Sequence, residues 1–303
     1  MSLDLDALKI FLKVAELGSF TRAGEQLRLP KAKVSRRVKS LEAELGCALF
    51  QRSTRVVRLS PDGEQLLERA RALVREADEL GALFQSARAL RGPVRVDLPI
   101  NAARELIIPR LPELIARHPG LELFFSTTDR RVDALREGFD CVLRVGPVGA
   151  EALTGRKLGL LEMMNCASPS YLRRYGVPLR LEELDRHFVV HYASRLGSEA
   201  PAFEYPFEGG HRDWPMRSLV TVNGVDAYVA AGVAGLGIIQ VPRTGLLSSV
   251  AAGALVEVLP ELTCAPLPLT LLHTHGRSVP RRVRAVMNWL IEVLSPHAKA
   301  LER

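Results

Sequence analysis

Between Lys31 and Lys39 five of nine residues are basic and none is acidic, yet Val34, Val38, Leu41 and Leu45 follow at spacings of four, three and four. That spacing is the apolar stripe of a helix packed on one side. Charges this close repel one another, so the segment suits a core helix only if its bases share the outer face and meet negative charge there. No other stretch restricts the fold as tightly.

The flanking sequence supplies the rest of a motif. Leu5, Leu8, Phe11, Leu12 and Ala15 mark a preceding helix that stops at Gly18. Ser19 and Thr21 are candidate N-caps of a second, short helix with Ala23 and Leu27 inward. Leu29-Pro30 breaks it, Pro30 opens the basic helix near Lys31, and Gly46 suits its C-terminal cap. Two short helices joined by a tight turn make a helix-turn-helix. Next, "LFQRSTRVVRLSPDG" reads as strands near 50–52 and 56–59 with Ser53-Thr54-Arg55 at the tip, a basic wing suited to backbone or minor-groove contact. The candidate DNA-binding residues are Thr21, Arg22, Lys31, Ala32, Lys33, Ser35, Arg36, Arg37, Lys39, Arg52, Thr54 and Arg55. Lys31, Ser35, Arg36 and Lys39 are the ones placed to enter a major groove.

Charge points the same way. The formal net charge of the 303 residues is +7, and the segment 28–58, with nine bases against Glu42 and Glu44, carries all of it. Such a local excess is the footprint of a polyanion site, although charge alone fits a solvated basic face equally well. The length suggests about two domains, and 47% hydrophobic residues allow a real core. Asp4 and Asp6 stand where a signal peptide would be positive. The longest nearly apolar run, 227–239, contains three glycines and is too short to span a bilayer. A soluble cytoplasmic protein without a membrane partner is therefore expected. Cys47, Cys141, Cys166 and Cys264 show no metal or redox spacing and are expected as buried thiols.

From Pro61 one long helix is expected. Leu66, Ala70, Leu73, Ala77, Leu80, Phe84 and Ala87 alternate at four and three, the seam of a coiled coil; a helix packed on its own domain shows the same spacing. "ALRGP" (89–93) has the Gly-Pro of a hinge. Beyond it, strands near 94–99, 121–126 and 141–145 alternate with helices near 105–117 and 131–138, and the alternation continues to a last helix striped by Val279, Val283, Val286, Leu290 and Leu294. This predicts an α/β domain with mixed sheets.

"GSFTRAGEQL", "KVSRRVKSLE" and "LGCALFQRSTRVVRLSPDG" resemble the N-terminal winged helix-turn-helix of LysR-type transcriptional regulators over about residues 4–64. Gly24 replaces a helical Ala of the commoner pattern, and Pro30 a capping Ser. "EGFDCVLRVG", "NCASPSYLRRYGVP", "VNGVDAY" and "AGVAGLGIIQVP" resemble the regulatory domain of the same family. The resemblance implies an α+β chain: a winged helix-turn-helix (1–60), a dimerising linker helix (61–89), and a periplasmic-binding-protein-like effector domain (90–303). Its subdomain I would span about 93–162 and 265–303, and its subdomain II about 163–264. It implies double-stranded DNA, a small-molecule effector and a second copy of the chain as partners, with a homotetramer and an RNA polymerase contact as further options. Leu66, Ala70, Leu73, Ala77, Leu80 and Phe84 would form the dimer seam.

An effector belongs in the crevice beyond the strand ends. Candidates there are Ile100, Asn101, Thr127, Thr128, Arg144, His191, Tyr192, Arg195, Asn223, Val225, Val241 and Pro242. Two helix N-termini with free backbone donors, plus Arg144 or Arg195, would suit an anionic effector. Arg144 is equally suited to a structural ion pair, and Thr127-Thr128 to capping the next helix. No GxSxG turn or phosphate-cradling loop is present. His273 and His275 would share one side of a strand but lack a third metal ligand. Neither an enzyme nor a cofactor is expected. The competing readings are a solute-binding protein without DNA function, which the missing export signal and basic head oppose, and an α/β enzyme with a DNA-binding head.

Overall fold

The computed structural model of the chain describes residues 4–52, 57–83, 90–149, 153–197, 200–276 and 278–299. Two compact units are present, Met1–Arg88 with Leu135–Gly138, and Ala89–Ala134 with Phe139–Arg303. The first contains α1 (Leu5–Leu17), α2 (Phe20–Leu27), α3 (Lys31–Leu45), the antiparallel pair β1 (Phe50–Arg52) and β2 (Val57–Leu59), and α4 (Pro61–Leu83). Asp4 caps α1 by accepting from the Asp6 N–H at 2.9 Å. Ser19 rather than Thr21 caps α2, its Oγ accepting from the Arg22 N–H at 3.3 Å. Phe11, Val14, Ala23, Val34, Val38, Leu41 and Leu49 form the core. The Phe50 ring closes it, 5.4 Å from Phe11 and 5.6 Å from Phe20.

Gly24 suits this packing. A Cβ there would lie 2.6 Å from the Leu29 carbonyl oxygen, so an alanine fits only if the α2–α3 turn shifts. The expected coiled-coil seam also needs correction at its start. Ala70 is fully buried in the core of its own unit and Leu66 packs against that core, because α4 lies on α1. Ala70 is therefore unavailable to a partner. Leu73 is 45% exposed and Ala77 half-buried. The side chain of Leu80, and Phe84 and Ala87 altogether, lie outside the described residues.

In the second unit a five-stranded sheet has the order β4-β3-β5-β14-β6, built from β3 (Arg91–Leu98), β4 (Gly120–Thr127), β5 (Cys141–Val145), β6 (Thr154–Leu161) and β14 (Leu267–His273). The helical segment after β3 starts at Ile100, not near 105. It runs as α5 (Ile100–Ala102), a π turn (Ala103–Ile107), a 3-10 turn (Ile108–Arg110) and α6 (Leu111–Arg117). Pro109 and Pro112 lack the N–H that an unbroken helix would use. Only α7 (Ala134–Glu137) forms where a helix over 131–138 is expected. α11 (Arg281–Leu294) lays Val283, Val286, Leu290 and Leu294 into the same core.

The chain leaves this sheet after Leu161 and returns at Leu267. In between lie β7 (Met163–Ala167), α8 (Pro169–Tyr175), β8 (Phe188–Tyr192), the hairpin β9 (Ala202–Phe207) and β10 (Gly210–Pro215), β11 (Arg217–Val222), α9 (Val225–Val233), β12 (Ile239–Pro242), α10 (Leu247–Ala251) and β13 (Val256–Glu257). β12-β7-β13 and β11-β8 form two small sheets joined by a Val189–Ile238 bridge. The two sheet systems make two subdomains with separate cores. Cys141, Cys166 and Cys264 are buried free thiols, whereas Cys47 is only half-buried. Burial pushes the Cys166 and Cys264 thiols up to about 12.

Candidate DNA-binding face and effector cavity

The two faces of α3 differ as its spacing predicts. Val34, Val38 and Leu41 are buried, while Lys31, Ala32, Lys33, Arg36 and Lys39 are exposed and Ser35 half-buried. Thr21 and Arg22 are exposed on the first turn of α2. Arg37 is exposed but engaged: its Nη1 donates to Asp4 Oδ2 at 2.7 Å, tying α3 to the start of α1. Glu42, an acid at the edge of the basic segment, holds the wing in place. Its Oε1 accepts from the Leu49 N–H at 2.9 Å and the Phe50 N–H at 3.3 Å. Sequence reasoning counted its charge and missed this role, which depends on a contact seven residues away. The side chain of Arg52, and Thr54 and Arg55, lie outside the described residues.

In the second unit a cavity of about 310 Å³ opens between the two subdomains. Both chain crossings line it, through Leu161, Met163 and Leu267. Of the expected effector contacts, Asn101, Thr128, Arg144, Tyr192, Val225, Val241 and Pro242 line it. Ile100, Thr127, His191, Arg195 and Asn223 are not among its lining residues. His191 is buried, its Nδ1 3.5 Å from Thr221 Oγ1 on the paired strand, and Arg195 sits on an exposed turn. Val241 and Pro242 belong to β12 itself instead of following it. Thr128 Oγ1 accepts from the Arg130 N–H at 3.1 Å and caps no helix.

The charges expected to hold an anion are committed elsewhere. Arg144 Nη1 donates to Asp97 Oδ2 at 2.7 Å, and its side chain is 12% exposed against 0% for Asp97. Burial pushes the Asp97 carboxyl up from its ordinary range, against the lowering pull of Arg144. The helix N-termini are not free either. Asp129, absent from the sequence candidates, accepts from the Val225 N–H at 2.8 Å and makes a long 3.5 Å contact with the Ile100 N–H. One helix opens in each subdomain, so the chain's own carboxylate stands where an effector's was expected. Two further contacts link the subdomains: Arg104 Nη1 to Asp226 Oδ1 at 2.5 Å, and Ser248 Oγ to Glu105 Oε1 at 2.8 Å.

Gln240, also missed, lines the cavity with its amide turned inward. Nε2 donates to Asn165 Oδ1 and the Glu204 carbonyl, both at 2.9 Å, and Oε1 accepts from the Glu204 N–H at 2.9 Å. The Tyr192 and Tyr228 rings pack edge to face at 5.6 Å. Burial, then the Asp129 charge, raises the Tyr192 phenol. His275, past the end of β14, pairs with Asp140 at 3.0 Å, and no group of metal-ligating side chains occurs among the described residues. Nor is any helix among them long and apolar enough to cross a membrane.

A cation-faced helix-turn-helix in one unit, and a ligand-sized cavity between two α/β subdomains in the other, define a ligand-responsive DNA-binding regulator of transcription. Residues 5–64 match the bacterial regulatory helix-turn-helix protein, lysR family, and residues 87–295 match the LysR substrate binding domain. The chain belongs to the LysR-type transcriptional regulators. It is 42% identical over 294 residues to the HTH-type transcriptional regulator YhjC of Escherichia coli K12, covering 97% of this chain and 98% of that one. An HTH-type transcriptional repressor of Pseudomonas aeruginosa is 34% identical over 309 residues, covering 98% and 97%. Among solved structures, CrgA, a LysR-type transcriptional regulator from Neisseria meningitidis, aligns with TM-score 0.60 and 26% identity over 96% of this chain and 99% of that one. A full-length OxyR variant from Pseudomonas aeruginosa aligns over the whole of both chains with TM-score 0.72 at 18% identity, a likeness of fold alone.

Proposed function

We propose that the chain binds its operator as a cytoplasmic homodimer and responds to a small molecule held in the cavity between Asn101, Tyr192 and Val241. Residues 1–60 are the DNA head, 61–89 the dimerising linker and 90–303 the effector domain. Lys31, Ser35, Arg36 and Lys39 read base edges. Thr21, Arg22, Ala32 and Lys33 support the helix on the backbone, Arg37 after releasing Asp4, and Arg52, Thr54 and Arg55 work from the wing. Leu73 and Ala77 carry the described part of the dimer seam, continued by Leu80 and Phe84. Two dimers joined as a tetramer, and a contact with RNA polymerase, complete the reading. The observation that carries it is the division of α3 into a buried apolar face and an exposed cationic one.

Anisotropy titrations on the chain's own upstream DNA and on random duplex test it. With about six phosphates neutralised, log affinity should fall against log salt with a slope near −5. Arg36→Ala should abolish discrimination between the two duplexes, whereas Arg55→Ala should weaken both alike. Equal losses on both duplexes for both variants would overturn the assignment of roles.

A further inference from the structure

The polar groups around the cavity fall into two sets, those already satisfied and those with nothing to bind. Asp129 takes the first N–H of α9, and that position at a helix N-terminus is where a bound anion gains most. Arg144 answers Asp97 through Nη1, and its buried Nε has no partner among the described residues. Arg131 donates to the Pro147 carbonyl at 2.8 Å and, like Arg130, is exposed where water screens it. The unsatisfied set consists of donors. Asn101 is 9% exposed; its Oδ1 accepts from Arg104 Nη2 at 3.0 Å, which turns the amide so that Nδ2 has no acceptor among the described residues. The Tyr228 oxygen accepts from the Gln240 N–H at 3.0 Å and keeps its own hydrogen to give. The Tyr192 hydroxyl has no hydrogen-bond partner among the described residues. Leu143, Leu161 and Met163 make the remaining wall apolar.

We propose that Asp129 sets the ligand class of this cavity: its carboxylate fills the anion position, and the cavity takes an uncharged, hydrogen-bond-accepting compound with an apolar or aromatic body. The proposal rests on the reading of the cavity as the effector site and names the chemistry of what enters it. A carboxylate ligand would meet Asp129 as a like charge in a partly desolvated space. A carbonyl or amide oxygen can accept from Asn101 Nδ2 and the tyrosine hydroxyls. An aromatic ring fits between the tyrosine pair and the aliphatic wall.

Benzamide and sodium benzoate share shape and differ in charge, so calorimetric titration of the full-length protein with each separates the two classes. Wild type should bind benzamide at least tenfold tighter than benzoate. Asp129→Ala vacates the anion position and should shift the ratio of the two affinities at least tenfold toward benzoate. Sodium acetate should raise the melting temperature of Asp129→Ala saturably and leave wild type unchanged at equal ionic strength. Asp129→Asn keeps the side chain's shape and should shift the same ratio toward benzoate, which guards against a folding defect in the alanine variant. Wild type that binds benzoate as well as benzamide, or binds neither, overturns the proposal, as does an unchanged ratio in both variants or the absence of any acetate effect on Asp129→Ala. Benzamide binding undiminished by Met163→Trp, which fills the cavity, would instead overturn the effector-cavity reading and leave the acetate result standing.

Discussion

Removing Arg144 should unfold the second unit more readily than any surface substitution, and do so in a pH-dependent way. Asp97 has no solvent exposure, and its charged partner is Arg144 at 2.7 Å. Arg144→Leu keeps an aliphatic stem in place but leaves a buried carboxylate without that partner. Breaking a buried pair from one side costs about 3–5 kcal/mol. For a unit of this size each kcal/mol shifts the melting temperature by roughly 2–4 °C, so a drop of about 6–20 °C is expected at neutral pH. The folded-state pKa of Asp97 is already raised by burial, with Arg144 the strongest influence lowering it. A raised carboxyl binds its proton more readily in the fold than in the unfolded chain. Stability from this group is thus fully present below the unfolded value of about 3.9 and declines as pH climbs through the folded value. Without Arg144 that decline reaches higher pH, so the variant should lose less at pH 5 than at pH 7.5. Trp214 and Trp289, the two tryptophans of the chain, both lie in the second unit, and their fluorescence in urea reports its unfolding alone. Adding Asp97→Leu to Arg144→Leu removes both charges and should recover most of the loss. A loss under about 1 kcal/mol at pH 7.5, or an equal loss at both pH values, would refute the reasoning.

Three further outcomes follow from the first unit. Gly24→Ala gains about 1 kcal/mol of helix propensity but sets a Cβ 2.6 Å from the Leu29 carbonyl, so the head should lose about 1–3 kcal/mol in urea melts followed by circular dichroism. Val38→Ala empties a fully buried site between α3 and α1 and should cost about 1–3 kcal/mol in the same melts, with DNA affinity falling only as far as the folded fraction does. Leu73→Glu should leave the melt of the head unchanged, since the side chain is 45% exposed, yet shift sedimentation toward monomer; an unshifted dimer would remove Leu73 from the proposed seam.

The DNA-binding head was legible because its signals are local. Helix period, capping residues and charge all fall within a few residues of one another, and α3 starts at Lys31 beside Pro30 as those signals require. The role of Gly24 was not legible, because a glycine that weakens α2 by propensity also lets the Leu29 carbonyl approach closely. The β9–β10 hairpin had a readable sign that strand-by-strand reading passed over. Glu208 and Gly209 both take positive φ, 48° and 79°, in a two-residue turn of the kind that Asp-Gly and Asn-Gly mark. The cavity resisted for a different reason. Asp129 and Val225 are 96 residues apart, and Arg144 and Asp97 are 47 apart. Sequence placed Asn101, Thr128 and Tyr192 near strand ends correctly. It could not say which charges would neutralise one another, because that depends on which loops the fold brings together.

The same pairings determine what a ligand has to do. Arg104 serves three neighbours at once, holding Glu105 through Nε, orienting Asn101 through Nη2 and clasping Asp226 of the other subdomain through Nη1. A compound accepting from Asn101 Nδ2 therefore sits one hydrogen bond away from the clasp. That clasp is about half-exposed on both sides, and exposed ion pairs contribute roughly 0–1 kcal/mol, so it resists rearrangement only weakly. Reversing a two-state population from 1:99 to 99:1 takes a differential affinity of about 10⁴, close to 5.5 kcal/mol. No single bridging contact here supplies that, and the leverage must come from apolar surface that is covered in one subdomain arrangement and bared in the other. Leu161, Met163 and Leu267 lie at the crossings where such a difference would be felt. A ligand that only hydrogen-bonds to Asn101 should bind without switching DNA affinity, and one that also fills the wall at the crossings should do both.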